Sequence, residues 1–536
     1  MSSAIPIGDA TLRSLAEAHG VCVRPVLRTL TDRLTESTTA VTIPCGSTRE
    51  SKCPPCATKA KRLRAHQCSE GWHLLDDPLA TSADLVDDQV EDVGEQVDDE
   101  VDGADDEEGE EVEEPERRTR STRRRTDATD LPKVPVEHRT VGASFTSPDG
   151  KTYRPSMFVT LTLPSYGRIV RGRGVPADPG TYDYRRAALD ALHFPKLVDR
   201  WWQNLRRCAG YKVQYFAAVE PQRRLAPHLH AAIRGAIPRT TLKAVTKATY
   251  LQLWWPAFDE PVYLDDQVPV WDADGKRYRD PDTGFALPTW AQALDRLDED
   301  LDADPSQRPA HVMRFGAQVD AQGIIAPSKD ADRTVRYLTK YLTKSVSDTY
   351  ADPDDPDAAY EAHIDRLHEH VRWLPCSPAC ANWLRYGITP DDPGPGLTPG
   401  ACPSKAHDRE CLGLGGRRVL VSRHWTGKTL TEHRADRAAV VHQVLAEAGI
   451  DAPETRRCAA DVLAEDGKPW FVWADIAEHD ESYDYAAAIA SSVAQAKRWR
   501  EQYDHAKTVA EQRGSLPGVP VDSRSASNDE LATEAA

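Results

Sequence analysis

The sequence predicts an α+β fold with a central antiparallel sheet flanked by helices. Residues 156–164, SMFVTLTLP, alternate in polarity and are rich in Val, Thr and Phe, as is typical of a strand. Two further strands, YKVQYFAAVE and HLHAAIRG, are separated by the seven residues 221–227, which predicts an antiparallel hairpin. Residues 195–210, PKLVDRWWQNLRRCAG, have helical periodicity and end in glycine.

Later segments extend this pattern. We expect a helix over 239–255, a strand over 311–320, a helix over 335–344 and two C-terminal helices before a polar tail. The four tryptophans Trp201, Trp202, Trp254 and Trp255 have helical spacing, so we interpret them as core. The domain boundaries predicted from the sequence are a zinc-ribbon-like module at 1–81, a disordered linker at 82–130, the α+β domain at 131–350, a zinc-binding segment at 351–430 and a helical region with a disordered tail at 431–536.

The negative charge is concentrated in one segment. The formal net charge is −18, but 19 of the 85 acidic residues lie between Asp84 and Glu116, which leaves 66 acidic against 67 basic residues elsewhere. That segment lacks aromatic residues and is predicted to be disordered, and a basic cluster follows it at 117–126. It is either a solvated linker or an arm that mimics nucleic acid and competes for a basic surface.

The chain has no stretch of about 18 apolar residues and no apolar core of signal-peptide length at its N-terminus. We therefore expect a cytoplasmic protein with no membrane partner. In a reducing compartment the 11 cysteines are better read as metal ligands than as disulfides.

Two groups of cysteines have spacings that suit tetrahedral, structural Zn²⁺. The first group is Cys45, Cys53, Cys56 and Cys68. The second is Cys376, Cys380, Cys402 and Cys411, with His407 as an alternative ligand. Cys22, Cys208 and Cys458 remain as buried or incidental thiols.

The predicted hairpin carries a candidate metal site. His228 and His230 lie on one face of a strand, because successive side chains point to opposite faces. Antiparallel pairing brings Glu220 opposite His228. Two imidazoles and a carboxylate could hold Mg²⁺ or Mn²⁺. Alternatively, Glu220 is an ordinary surface charge, and a His-x-His triplet also arises by chance, as at His368 and His370.

The segment VRYLTKYLTK, residues 335–344, repeats Tyr-Leu-Thr-Lys. In one continuous helix Tyr337, Tyr341 and Lys344 form a stripe with Lys340 beside it, and Val335, Leu338 and Leu342 form an apolar stripe that can anchor the helix.

The order of these motifs, FVTLTLP, then PHLHAAI, then YLTKYLTK, resembles the signature of HUH endonucleases of the two-tyrosine class. The sequence around these motifs resembles replication initiators of plasmids and integrative elements of high-GC Gram-positive bacteria. The resemblance covers about residues 40–80 and 130–510. It implies that residues 131–350 form an HUH nuclease domain.

The resemblance implies a metal-assisted tyrosine attack that nicks single-stranded origin DNA. His228, His230 and Glu220 would hold the Mg²⁺ or Mn²⁺, and Tyr337 or Tyr341 would form a 5′-phosphotyrosine bond and free a 3′-OH. Lys340 and Lys344 would lower the pKa of the phenol and stabilise phosphoryl charge, or would simply clamp phosphates. Host polymerase and helicase are expected partners, since the sequence has no phosphate-binding loop of the Gly-x4-Gly-Lys-Ser/Thr type.

Other functions fit parts of the same pattern. A transposase or conjugative relaxase would use the same site on different DNA, and a zinc-dependent DNA-binding regulator would use the cysteine groups without chemistry. The loop YGRIVRGRGVP, with Arg168, Arg171 and Arg173, suits a single-stranded DNA backbone or is an ordinary solvent loop.

Overall fold

A computed structural model describes residues 9–74, 77, 130–141, 145–150, 152–264, 267–326, 328–350, 357–415, 418–447, 463–464, 467–476 and 485–513. The acidic segment 84–116, the basic cluster 117–126 and Cys458 lie outside these residues. The predicted fold class is confirmed, because the described chain is a mixture of helices and antiparallel sheets.

The helices are α1 (Asp9–Ala18), α2 (Pro54–Trp72), α3 (Tyr184–Ala209), α4 (Arg239–Ala248), α5 (Trp290–Ala303), α6 (Lys329–Thr339), α7 (Ala358–Trp373), α8 (Leu430–Glu447) and α9 (Tyr485–Arg513). The strands are β1 (Val26–Asp32), β2 (Thr38–Ile43), β3 (Phe145–Thr146), β4 (Thr152–Thr162), β5 (Tyr215–Pro221), β6 (Pro227–Arg234), β7 (Tyr250–Leu253), β8 (Val270–Asp272), β9 (Arg277–Arg279), β10 (His311–Arg314), β11 (Val319–Ala326), β12 (Val419–Val421) and β13 (Phe471–Asp475).

The chain divides into two compact units. One comprises Met1–Leu63 with Thr429–Ala536, and the other comprises Arg64–Lys428. In the first unit, β1 lies between β13 and β2 in an antiparallel sheet, and α1 and α9 contribute to a small apolar core that contains Leu12, Ile489 and Val493. The five segments defined from the sequence remain predictions.

The second unit is built on an antiparallel sheet in the order β11-β4-β6-β5-β12, with β3 paired to β4. The predicted hairpin is β5 and β6, and Glu220 pairs with His228 as expected. On the other side of β6, Thr160 pairs with His230. The sheet register therefore brings residues of three adjacent strands to one place.

The two faces of this sheet are covered differently. Alternate residues such as Val159, Leu229 and Ala231 join a large core with the tryptophans of α3. The opposite face, which includes Ala218 and Ala232, packs against Val335 and Leu338 of α6 in a second core. His228 and His230 share this second face, because they alternate with Leu229 and Ala231. The helix with the tyrosine motif is thus held over the histidines.

Helix α3 ends as its sequence predicts. Gly210 adopts a left-handed conformation with φ of 72°, which a glycine accommodates without a Cβ clash at the helix C-terminus. Trp201 and Trp202 are buried in the core, as are Trp254 and Trp255. Among the described residues, no helix combines the length and apolarity that a membrane crossing requires.

Two of the predicted elements that differ in extent lie between residues 239 and 326. The expected helix over 239–255 stops at Ala248 and is followed by strand β7, which pairs with β10 in a separate two-stranded sheet. The expected single strand over 311–320 is β10 followed by β11, and only β11 joins the central sheet. In both places a strand partner distant in sequence overrides the local pattern.

Candidate functional site

The imidazoles of His228 and His230 and the carboxylate of Glu220 form a compact group on the face of the sheet that α6 covers. One ligand atom of each lies within 4.8 Å of the others, so the group could hold a metal ion. The two imidazole rings are 4.3 Å apart between centroids, and His230 Nε2 lies 3.9 Å from Glu220 Oε2. All three residues are buried, so Glu220 is not an ordinary surface charge.

The protonation states of the two imidazoles suit a cation. Burial lowers the pKa of His228 to about 3 and that of His230 to about 4, so both imidazoles are neutral at physiological pH and keep a lone pair. Burial raises the pKa of Glu220 to about 7, although Arg418 and Lys340 oppose the shift. Glu220 Oε1 and His228 Nδ1 are buried and accept or donate no hydrogen bond among the described residues. Unsatisfied donors and acceptors of this kind fit a metal ion between them.

Strand β4 orients His230. Thr160 Oγ1 lies 2.9 Å from His230 Nδ1, and the Phe158 ring stacks on the imidazole with centroids 5.6 Å apart. The tautomer in which Nδ1–H donates to Thr160 leaves the Nε2 lone pair facing Glu220 and Tyr337. Hydrogen bonds of this type fix the ring orientation of metal-ligating histidines.

We expect Thr160→Val to weaken Mn²⁺ binding at this group by about 10–100-fold, because the ring of His230 loses the bond that fixes its orientation. Thr160→Ser keeps the hydroxyl and should restore affinity. Thr152→Val makes the same change at the other end of the strand, where Thr152 pairs with Thr146, and serves as the control. Isothermal titration with Mn²⁺ measures the effect, and equal losses in Thr160→Val and Thr152→Val would contradict the assigned role.

Tyr337 is the tyrosine that reaches this group. Its Oη lies 3.2 Å from His230 Nε2, and its ring meets those of His230 and Phe158 edge-on. The residue is 43% exposed, although its hydroxyl contacts the buried imidazole. Burial, together with Glu220 and Tyr341, raises the pKa of Tyr337. The protein groups around it therefore favour the neutral phenol.

Tyr341 is not on the continuous helix that the sequence predicts. Helix α6 ends at Thr339, and the Lys340 N–H donates to the carbonyl of Tyr337, a shorter step than in an α-helix. The apolar stripe is confirmed, since Val335 and Leu338 are buried and Leu342 packs beside them. Tyr341 lies in the turn that follows, with its ring 6.2 Å from that of Tyr350.

The two lysines flank this turn. Lys340 Nζ lies 5.0 Å from the centroid of the Tyr341 ring, and the same charge opposes the rise in the pKa of Glu220. Lys344 N–H donates to the carbonyl of Tyr341 at 3.3 Å. Activation of a phenol by Lys340 and Lys344 stays a prediction.

Arg418 binds the turn that carries Tyr341, and the sequence pattern did not single it out. Its Nη2 donates to the carbonyl of Tyr341 at 2.9 Å and to that of Lys344. The carbonyl of Arg418 accepts from Val219 N at 2.8 Å, beside the edge strand β12. The guanidinium thus ties the Tyr341 turn to the sheet. The segment GGRRVLV offered the signal of paired arginines before a short apolar strand.

The second cysteine group assembles with the alternative ligand. Cys376, Cys380, Cys402 and His407 could hold a metal ion, whereas Cys411 is buried outside this group. His407 Nδ1 donates to the carbonyl of Val371 at 2.7 Å, which turns Nε2 towards Cys380 Sγ at 3.5 Å. Hydrogen bonds from Cys376 and Cys380 lower the pKa of Cys402, because they stabilise its thiolate. Three thiols and an oriented imidazole fit structural zinc.

The first cysteine group needs a correction. Cys22, predicted to be a buried or incidental thiol, lies with Cys45, Cys53 and Cys56. Cys68, a predicted ligand, lies outside this group. Cys22 Sγ lies 3.7 Å from Cys53 Sγ. Cys56 and Cys68 are both in α2, and twelve residues of helix separate them by about 18 Å. Cys68 is instead fully buried in the apolar core with Trp425, where burial raises the pKa of its thiol.

The chain is similar to known replication initiator proteins. The model of the RepSA family, described as replication initiator protein, pSAM2, matches residues 9–495. A replication initiator protein of Streptomyces ambofaciens is 26% identical over 230 residues, which are 36% of this chain and 43% of the relative. The match thus spans less than half of that relative's length. No solved structure matches the chain. Because the family model covers most of the sequence, the chain belongs to the RepSA family of replication initiator proteins.

Proposed function

We propose that this protein is a metal-assisted tyrosine nuclease of the HUH type, with two tyrosines, that nicks single-stranded origin DNA and so initiates rolling-circle replication. The observation that carries the proposal is the 3.2 Å contact between Tyr337 Oη and His230 Nε2. It joins a partly exposed phenol to a buried group of two neutral imidazoles and a carboxylate. A regulator without chemistry needs no such contact.

The proposed reaction is a phosphoryl transfer to tyrosine. Tyr337 Oη bonds to the phosphorus of the scissile phosphodiester as the bond from phosphorus to the 3′ oxygen breaks. The phenol loses its proton to solvent, and the departing oxygen takes one up as a 3′-OH. The strand is then held through a 5′-phosphotyrosine, which conserves the bond for a later resealing transfer.

His228, His230 and Glu220 would hold the Mg²⁺ or Mn²⁺. When bound, that ion supplies Lewis-acid stabilisation of charge on the phosphate oxygens. The chain's own contribution is positional: β4 fixes the ring of His230, β5 presents Glu220, and α6 holds Tyr337 over them. Lys340, next to the turn, adds positive charge where the phosphate would lie.

The two tyrosines have different places and are assigned different steps. Tyr337, in contact with His230, makes the first attack. Tyr341, next to Lys340 in the turn that Arg418 holds, makes the second attack while Tyr337 is still joined to DNA. A host polymerase would extend the 3′-OH, and a host helicase would open the duplex.

The test is direct capture of the intermediate. Overlapping labelled single strands that cover the DNA next to the gene are incubated with the protein and Mn²⁺, and the peptide attached to the label is identified by mass spectrometry. We expect the 5′ end of the downstream fragment on Tyr337. Binding without any covalent product would support a regulator instead. A product only from element ends or a transfer origin would point to a transposase or relaxase.

A further inference from the structure

Residues 168–177 form a small hairpin, which we call the finger. Val170 N donates to the carbonyl of Val175 at 2.8 Å, and Ala177 N donates to that of Arg168 at 2.8 Å. Ile169 and Pro176 form an isolated antiparallel bridge. The loop thus has a defined backbone.

The first strand of the finger is both basic and apolar. Arg168 and Arg171 are exposed, and among the described residues neither guanidinium forms an ion pair. Ile169 and Val170 are each 38% exposed. Arg173 differs, because its guanidinium forms an ion pair with Asp357 at 2.6 Å and its charge is already neutralised within the protein. Two free cations therefore flank two exposed aliphatic side chains.

Arg223 connects the finger to the tyrosines Tyr350 and Tyr341. Arg223, in the turn between β5 and β6, donates from Nη1 to the carbonyl of Gly172 at 2.8 Å. Its guanidinium lies 5.4 Å from the centre of the Tyr350 ring, which is next to Tyr341. A Cβ at Gly174 would meet the Arg223 backbone carbon at 2.7 Å, so only glycine permits this approach.

We propose that the finger binds the single-stranded DNA next to the cleavage point, with Arg168 and Arg171 on phosphates and Ile169 and Val170 against unpaired bases. The inference rests on the proposed function, because it assigns the substrate of that site. Guanidinium groups pair with phosphate, and apolar side chains can reach base faces only where the strand is unpaired. A duplex would offer the phosphates alone.

Binding is tested in the Tyr337→Phe/Tyr341→Phe protein, which cannot attach to DNA, with a fluorescein-labelled oligothymidine of about 20 nucleotides. Fluorescence anisotropy over a series of salt concentrations gives the affinity and its salt dependence. We expect Arg168→Gln/Arg171→Gln to weaken binding and to make the slope of log K against log salt shallower by about 1.4, or 0.7 for each lost phosphate contact. Ile169→Ser/Val170→Ser should weaken binding without a change of slope.

The matched control is Arg296→Gln/Arg308→Gln, which removes the same charge outside the finger. An unchanged slope in the finger variant, or an equal change in this control, would overturn the proposal. So would an equal loss on Ile169→Ser/Val170→Ser for a fully paired duplex, because bases are then hidden. The assay needs no cleavage, so failure of the finger is distinguished from failure of the tyrosine chemistry, which covalent capture by the unsubstituted protein tests. Thermal unfolding of each variant checks that the fold is retained.

Discussion

Tyr337→Phe is expected to lower the rate of the first strand cleavage by about 10⁶-fold, the scale on which loss of a catalytic nucleophile acts. Tyr341→Phe makes the same chemical change four residues later and should leave the first cleavage in place while blocking the second transfer. The rates are measured by single-turnover cleavage of a labelled origin strand in Mn²⁺, and the second transfer by the joining of a second labelled strand.

The asymmetry has a structural cause. Tyr337 lies in the last turn of α6, and its Oη is 3.2 Å from His230 Nε2. Tyr341 lies beyond the helix end, in the turn whose carbonyls Arg418 binds. On one unbroken helix the two phenols would face the metal group together, and either could replace the other. The break at Thr339 places Tyr341 in a turn beside Tyr350, so the two phenols have different surroundings.

A reversed result is informative. If Tyr341→Phe abolishes the first cleavage and Tyr337→Phe does not, the order of the two attacks is wrong although the nuclease assignment stands. If the double variant still nicks origin DNA at an unchanged rate, tyrosine chemistry is excluded.

Local patterns were sufficient for the hairpin part of the site. The alternation in β6 puts His228 and His230 on one face, and the seven-residue connection sets the pairing of Glu220 with His228. The same alternation in β4 puts Phe158 and Thr160 on that face, where they contact His230. These relations are fixed by the period of a strand and by its immediate neighbours, so a sequence can reveal them.

The remainder depends on residues that are distant in sequence. Helical spacing favoured one helix through Lys344, but Arg418, 77 residues beyond Tyr341, binds its carbonyl and stabilises a turn instead. Likewise, Cys68 follows the first cysteine group closely in sequence, whereas Cys22, 23 residues before Cys45, is the one that joins it. The spacing of cysteines in the sequence does not indicate which distant segment supplies the last ligand of a metal site.

The second large effect concerns the group Cys376, Cys380, Cys402 and His407. Cys376→Ala should remove one Zn²⁺ per chain and lower the free energy of unfolding by several kcal/mol, since structural zinc contributes about 10–16 kcal/mol in small zinc modules. Cys411→Ala is the matched control: it removes a buried thiol that lies outside the group and should keep the metal. Zinc content by mass spectrometry and chemical unfolding measure both.

Loss of this Zn²⁺ should also affect the turn that contains Tyr341. Residues that follow the ligands, including Leu412 and Leu414, pack in the main core, and the chain then continues to Arg418 and β12. Release of the ligands frees the segment that positions Arg418, so the turn with Tyr341 loses the donor to its carbonyl. We therefore expect Cys376→Ala to impair the second transfer more than Cys411→Ala, with increased proteolysis between 374 and 415. Zinc loss in Cys411→Ala as complete as that in Cys376→Ala would contradict the observed ligand set and favour the set with Cys411 that the sequence predicts.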